Sequence, residues 1–170
     1  MFGLIWPDFD QSIPLLTHRS GLTHSVLLPL LLLVFGRRWR WAALVAAGLA
    51  LGIAVHISAD VFPQSMRGFA TVKLPFVQVG ALASRLWLIG NVLGGIVIGL
   101  VLIEDREGAV AAWIAAAATA VLALAYFILH DEPPWMLPGI GAALLAGHGP
   151  ARRAGVTRLR AGRIQPRPDP

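Results

Sequence analysis

Cysteine is absent from this chain of 170 residues. Its absence excludes disulfides and thiolate metal sites, so any metal must be held by His, Asp or Glu, and nothing is implied about redox compartment. Charge is scarce as well. Only 14% of residues are Asp, Glu, Lys or Arg, against 56% apolar ones, and mean hydropathy is +0.70. A soluble domain usually carries about a quarter of its residues as charges, so that class is excluded and a small integral membrane protein is expected. Internal repeats and linkers are also lacking, and the chain has no room for a second large domain.

The charge that is present is unevenly placed. Residues 151–170, "ARRAGVTRLRAGRIQPRPDP", hold six arginines and one aspartate, whereas the first 150 residues hold eight basic and eight acidic groups. The basic balance therefore belongs to a tail. Arginines beside a membrane span set topology and face anionic lipid, so the tail is expected to be cytoplasmic and disordered, with no nucleic-acid partner. Residues 1–150 form the expected membrane-embedded helical domain.

Four apolar stretches stand out. Leu22 to Gly36 and Ala42 to Ile57 are short, roughly 22 to 24 Å as helices at about 1.5 Å per residue, whereas Leu86 to Ile103 and Val110 to Leu129 are long enough to cross unaided. Trp135 to Gly147 is a fifth, shorter and glycine-rich. The expected fold is an all-α membrane bundle of four to five hydrophobic helices. "MFGLIWPDFD" has no basic region ahead of an apolar one, so the spans themselves are expected to direct insertion. "RRWR" at 37–40 marks a cytoplasmic turn. Alternation from that anchor puts the 58–84 loop outside, "EDRE" inside, "HDEPP" outside and, with five crossings, the tail inside.

Under that topology the polar residues gather on one side. Asp8, Asp10, His18 and His24 precede or open the first span on the outer face. The second span ends there with "GIAVHISAD", in which His56 and Asp60 are spaced i, i+4 and share a helix face. The fourth span ends on the same side with His130, Asp131 and Glu132. Ionisable groups in or beside spans are rare and point to function. Imidazole and carboxylate donors suit zinc first, then manganese or iron, and such a cation acidifies a bound water and neutralises charge on a phosphoryl oxygen. Arg19 is a candidate phosphate clamp, because its planar fork matches two phosphoryl oxygens. Thr23 and Ser25 suit orienting ligands or capping the first span.

The ordered set "PDFD", "HRSGLTHS" and "HISAD", each joined to an apolar segment, resembles the YdjM-type family of bacterial and archaeal inner-membrane proteins, described as membrane-bound metal-dependent hydrolases. Pro7, Asp8 and Asp10 match its Pro-Asp-x-Asp turn. His18, Arg19, Thr23, His24 and Ser25 match its His-Arg-Gly-x-Thr-His-Ser element. His56 and Asp60 match its His-x-x-x-Asp, and Gly68, Pro75 and Phe76 match the family's later Gly and Pro-Phe positions. The resemblance covers roughly residues 5–76 and implies a divalent-metal hydrolase of the inner membrane. Its metal ligands would be drawn from Asp8, Asp10, His18, His24, His56 and Asp60, with Arg19 in a catalytic role. Similarity of the spacing to zinc-dependent phospholipases C and related nucleases suggests a phosphoester, sought first among lipid-linked ones and then among soluble ones. Two other classes compete with this reading. A transporter would carry ionisable residues at mid-span, where this chain offers little beyond Asn91, and a non-catalytic scaffold would leave the ligand set idle.

Overall fold

The computed structural model describes residues 2–12, 19–36, 38–61, 71–74 and 77–129. His18, the 130–132 cluster, the Trp135 to Gly147 stretch, the arginine-rich tail and the family positions Gly68, Pro75 and Phe76 lie outside the described residues. The chain opens with the short helix α1 (Phe2–Ile5) and a 3₁₀ turn over Pro7–Ser12. Three long helices follow a short one: α2 (Leu27–Phe35), α3 (Arg40–Asp60), α4 (Ala81–Glu107) and α5 (Ala109–Leu129). Between α3 and α4 lies a hairpin of β1 (Lys73–Leu74) and β2 (Val77–Gln78), antiparallel with Lys73 opposite Gln78 and Leu74 opposite Val77. The fold is thus mostly helical, with this small sheet as its departure from all-α among the described residues.

The helices α3, α4 and α5 are each long and apolar enough to cross a membrane. Their outer surfaces agree with that environment. Leu82, Leu86, Leu93 and Val97 on α4 and Val110, Ile114, Val121 and Ile128 on α5 are exposed. In water this would be an apolar patch far larger than a soluble monomer carries. In lipid it is the ordinary outer face of a span. The most apolar part of α3 is 72% buried, against 33% for α4 and 28% for α5, so α3 is the central helix.

Small residues let α4 lie close against α3. A methyl group on Gly95 would come within 2.7 Å of the Ala50 carbonyl oxygen, and one on Gly99 within 2.5 Å of the Leu51 side chain. Gly90 and Gly94 meet nothing within 4 Å, so only one face of this glycine-rich run is needed for packing. Leu88, Val92, Ile96 and Leu100 fill the same seam at four-residue spacing. At the far end Gly108 takes φ +91°, donates its N–H to the Glu104 carbonyl at 3.0 Å and leads directly into α5. A residue with a Cβ would be strained in that conformation.

The first apolar stretch differs from its sequence pattern. Helix starts only at Leu27, and α2 has nine residues, or roughly 13 Å of rise, less than half the hydrocarbon thickness. Residues 20–26 instead make local turns. Ser25 Oγ donates to the Leu22 carbonyl at 3.0 Å and accepts from Leu27 N–H at 3.3 Å, while Ser20 Oγ accepts from Leu22 N–H at 3.3 Å. Serine and threonine hydroxyls compete with the helix ladder in this way. The start of α2 is held by Asn91 of α4, whose Oδ1 accepts the Val26 N–H at 2.9 Å. The second stretch extends past its apolar limit, so that Asp60 stands one turn beyond His56 at the end of α3.

Candidate metal centre

The turn that carries His24 is folded around a carboxylate. Asp10, on the 3₁₀ turn, is fully buried and its Oδ2 accepts the Ser20 N–H at 3.0 Å and the Thr23 hydroxyl at 3.1 Å. The His24 N–H returns to the Ser20 carbonyl at 2.9 Å. From outside, the hairpin pins the same turn: Lys73 N–H donates to the Arg19 carbonyl at 3.0 Å, and Gly21 N–H to the Lys73 carbonyl at 2.8 Å. Ser84 ties the hairpin to α4 by accepting the Val72 N–H and donating to the Val79 carbonyl. Arg19 is held at φ +62°, a left-handed conformation uncommon for a residue with a side chain. From the other flank, Trp87 Nε1 donates to the His24 carbonyl at 3.2 Å.

These constraints aim His24 at the end of α3. Its Nε2 lies 3.3 Å from Asp60 Oδ2, and His56 Nε2 lies 3.7 Å from the same oxygen. One donor atom each from His24, His56 and Asp60 falls within 4.8 Å of the others. Asp8 approaches from the more open side, its Oδ1 3.8 Å from His56 Nε2 and its side chain 48% exposed. The imidazoles meet edge to face, with centroids 5.8 Å apart.

The opposite nitrogens are anchored. His24 Nδ1 sits 3.1 Å from the Thr23 hydroxyl and 3.5 Å from Asp10 Oδ2. His56 Nδ1 sits 3.2 Å from the Tyr126 hydroxyl of α5. A proton on each Nδ1 leaves both Nε2 lone pairs directed at the shared space, the tautomer a metal requires. Arg19 Nη2 takes the other side of Asp60, donating to Oδ1 at 2.6 Å, which leaves Oδ2 turned toward the histidines. Charge points the same way: three carboxylates and one guanidinium sum to −2 with neutral imidazoles. Negative charge at the edge of a span is costly, and one divalent cation would cancel it. The donor set therefore fits a cation.

Of the residues singled out from sequence, the structure brings His24, His56, Asp60 and Asp8 together. It places Asp10 at the far nitrogen of His24 and Arg19 on the second oxygen of Asp60. Sequence reasoning missed Tyr126, the sole tyrosine of the chain. A polar-tipped aromatic one turn before the "HDEPP" end of a span was the signal available. It also missed Trp87 and the pinning hairpin, which carry no motif.

Comparison with protein-family models, curated proteins and solved structures finds no match. The functional reading therefore rests on the geometry of the site.

Proposed function

We propose that this chain is a membrane-bound, metal-dependent hydrolase that cleaves a phosphoester with metal-activated water. The observation that carries the reading is the convergence of His24, His56 and Asp60 donor atoms within 4.8 Å, with the second nitrogen of each imidazole anchored. Two imidazoles and one carboxylate make a three-ligand set of the kind that catalytic zinc uses while keeping a position open. Zinc is the first choice of cation and manganese the second.

His24, His56 and Asp60 would hold the cation, and Asp8 would join from the exposed side. Asp10 orients His24, Tyr126 orients His56, and Arg19 fixes Asp60 and stabilises charge on the bound phosphoryl group. When bound, the cation supplies a water acidic enough to attack near neutral pH and neutralises phosphoryl charge. In the reaction the water oxygen bonds to phosphorus, the ester P–O bond breaks, and the water proton ends on the leaving alkoxide. Asp8, half-exposed beside His56, would carry that proton on the oxygen that the cation leaves free.

The topology that goes with this reading has five crossings in the inner membrane, with the site toward the outer face and the tail cytoplasmic. The nine-residue α2 would complete its crossing through the turn over residues 20–26, buried except at Leu22 and Val26. Irregular backbone is tolerated at that depth because protein surrounds it. Since the site stands at the membrane face, lipid-linked phosphoesters are the first substrates to test. A panel of lipid-linked and soluble phosphoesters, offered to zinc-loaded and manganese-loaded protein, is expected to give turnover that Asp60→Ala abolishes. Turnover that survives Asp60→Ala would contradict the assignment.

A further inference from the structure

An apolar groove of about 250 Å³ runs between α3 and α5 and reaches Val55, the residue before His56. Leu4 of α1, Gly48, Gly52 and Val55 of α3, and Ala118 and Leu122 of α5 line it. We infer that this groove holds the hydrocarbon chain of a long-chain phosphate ester whose phosphate lies at the His24–His56–Asp60 cluster. The inference rests on the hydrolase reading for its headgroup and deepens it by naming the substrate class.

Four observations support that occupant. First, the groove is cut into two helices long and apolar enough to span a membrane, so the medium that meets it is acyl chain. Second, its walls ask for no polar ligand: the Thr119 hydroxyl, the polar side chain among its lining, donates to the Ala115 carbonyl at 2.7 Å within its own helix. Third, the space comes from a missing side chain. A Cβ on Gly48 would meet nothing within 4 Å, so this glycine is not required for close packing there, unlike Gly52 on the same helix, whose Cβ would lie 2.9 Å from the Gly3 backbone.

The fourth observation is continuity with the site. Val55, on the α3 wall of the groove, directly precedes His56 in that helix. Leu122, which lines the opposite wall, lies one helical turn before Tyr126, the hydroxyl partner of His56 Nδ1. The groove therefore ends beside the residue whose Nε2 faces Asp60 and Asp8. A second apolar groove, of about 260 Å³ and lined by Leu22, Ser25, Leu27, Leu74 and Trp87, meets the site through backbone rather than through a ligand's ring. It lies behind the turn, on the side where Trp87 binds the backbone carbonyl of His24. From Gly48 to Val55 the groove extends roughly 10 Å along α3, enough for a segment of one chain. Its volume also exceeds the roughly 150 Å³ that accommodates a benzene ring in a protein interior.

Photocrosslinking tests the assignment without depending on turnover. The full chain, zinc-loaded in phosphatidylcholine nanodiscs, is irradiated with a long-chain alkyl monophosphate that bears a diazirine mid-chain, and labelled peptides are mapped. Label is expected on the 48–55 and 115–122 segments. Excess unlabelled long-chain phosphate should remove it, and inorganic phosphate, which competes for the headgroup alone, should remove less. Gly48→Leu should reduce it about tenfold, the contribution of roughly two buried methylenes, and Ala118→Leu from the opposite wall serves where Gly48→Leu does not fold. His24→Ala, which releases the headgroup, should reduce it as well, while Gly94→Leu on the open face of α4 should not. Label spread over the outer faces of α4 and α5, label indifferent to Gly48→Leu and Ala118→Leu, or a second copy of the chain crosslinked in the groove would overturn the proposal. Groove label that persists in His24→Ala would overturn the link to the site. Groove label with the expected variant pattern, but no hydrolysis of any phosphoester, would remove the hydrolase reading and leave the groove assignment standing.

Discussion

At the scale of single residues, two kinds of side chain make the centre. His24, His56 and Asp60 present donor atoms to one point, while Asp10, Thr23, Tyr126 and Arg19 hold those donors in orientation. The two kinds predict different losses. His24→Ala or Asp60→Ala should eliminate metal binding. Asp10→Asn and Tyr126→Phe should weaken it by about 10- to 100-fold, the usual cost of removing a group that orients a ligand. Isothermal titration of metal-stripped protein with zinc measures both classes, and equal loss in the two would remove the distinction. The pairing of His56 with Asp60 was legible in sequence because helical periodicity alone puts i and i+4 on one face. The approach of Asp10 to the far nitrogen of His24 was not, because it depends on a turn folded by Ser20 and Thr23 around a carboxylate at least ten residues away. Tyr126 comes from another helix, and no spacing rule reaches it.

At the scale of elements, the bundle depends on which face of each helix carries its small residues. Gly95→Ala drives a methyl group toward the Ala50 carbonyl and should cost about 1–3 kcal/mol, as overpacking in a close seam does. Gly94→Ala meets nothing and should be neutral or slightly stabilising, since alanine is the better helix former by roughly 0.5–1 kcal/mol. Thermal unfolding in detergent would compare the two, and an equal effect would mean that α4 does not rest on α3 through Gly95. Asn91→Leu leaves the partly buried Val26 N–H without its carbonyl acceptor and should cost about 1 kcal/mol or more, read in the same assay. The long helices were legible because their apolar runs exceed what any loop would carry. The start of α2 was not: residues 22–36 read as one apolar run, yet the Ser20 and Ser25 hydroxyls satisfy the backbone locally and delay the helix to Leu27. The hairpin of β1 and β2 was equally hidden, because two-residue strands are too short to show alternation.

At the scale of the whole molecule, a central helix, α3, ends in a polar centre at one side of a bundle whose outer faces are apolar. Arginine bias predicts that the tail is cytoplasmic and that the 58–84 segment lies on the opposite side. Single cysteines introduced near residues 65 and 160, into a chain that has none of its own, should be labelled from opposite faces. Labelling of both from one face would refute the five-crossing topology. That His24, His56 and Asp60 would meet was legible from the order of spans and anchors. That α3 would be the buried centre was not, because its apolar run resembles those of α4 and α5. The claim on which the account turns is that His24, His56 and Asp60 hold a divalent cation, and elemental analysis of the purified full chain beside His24→Ala tests it most directly. The account predicts a stoichiometric divalent metal, zinc first, in the parent protein and its loss from a His24→Ala variant that still folds and inserts. Equal metal content in the two proteins, or none in the parent after zinc loading and removal of excess, would contradict it.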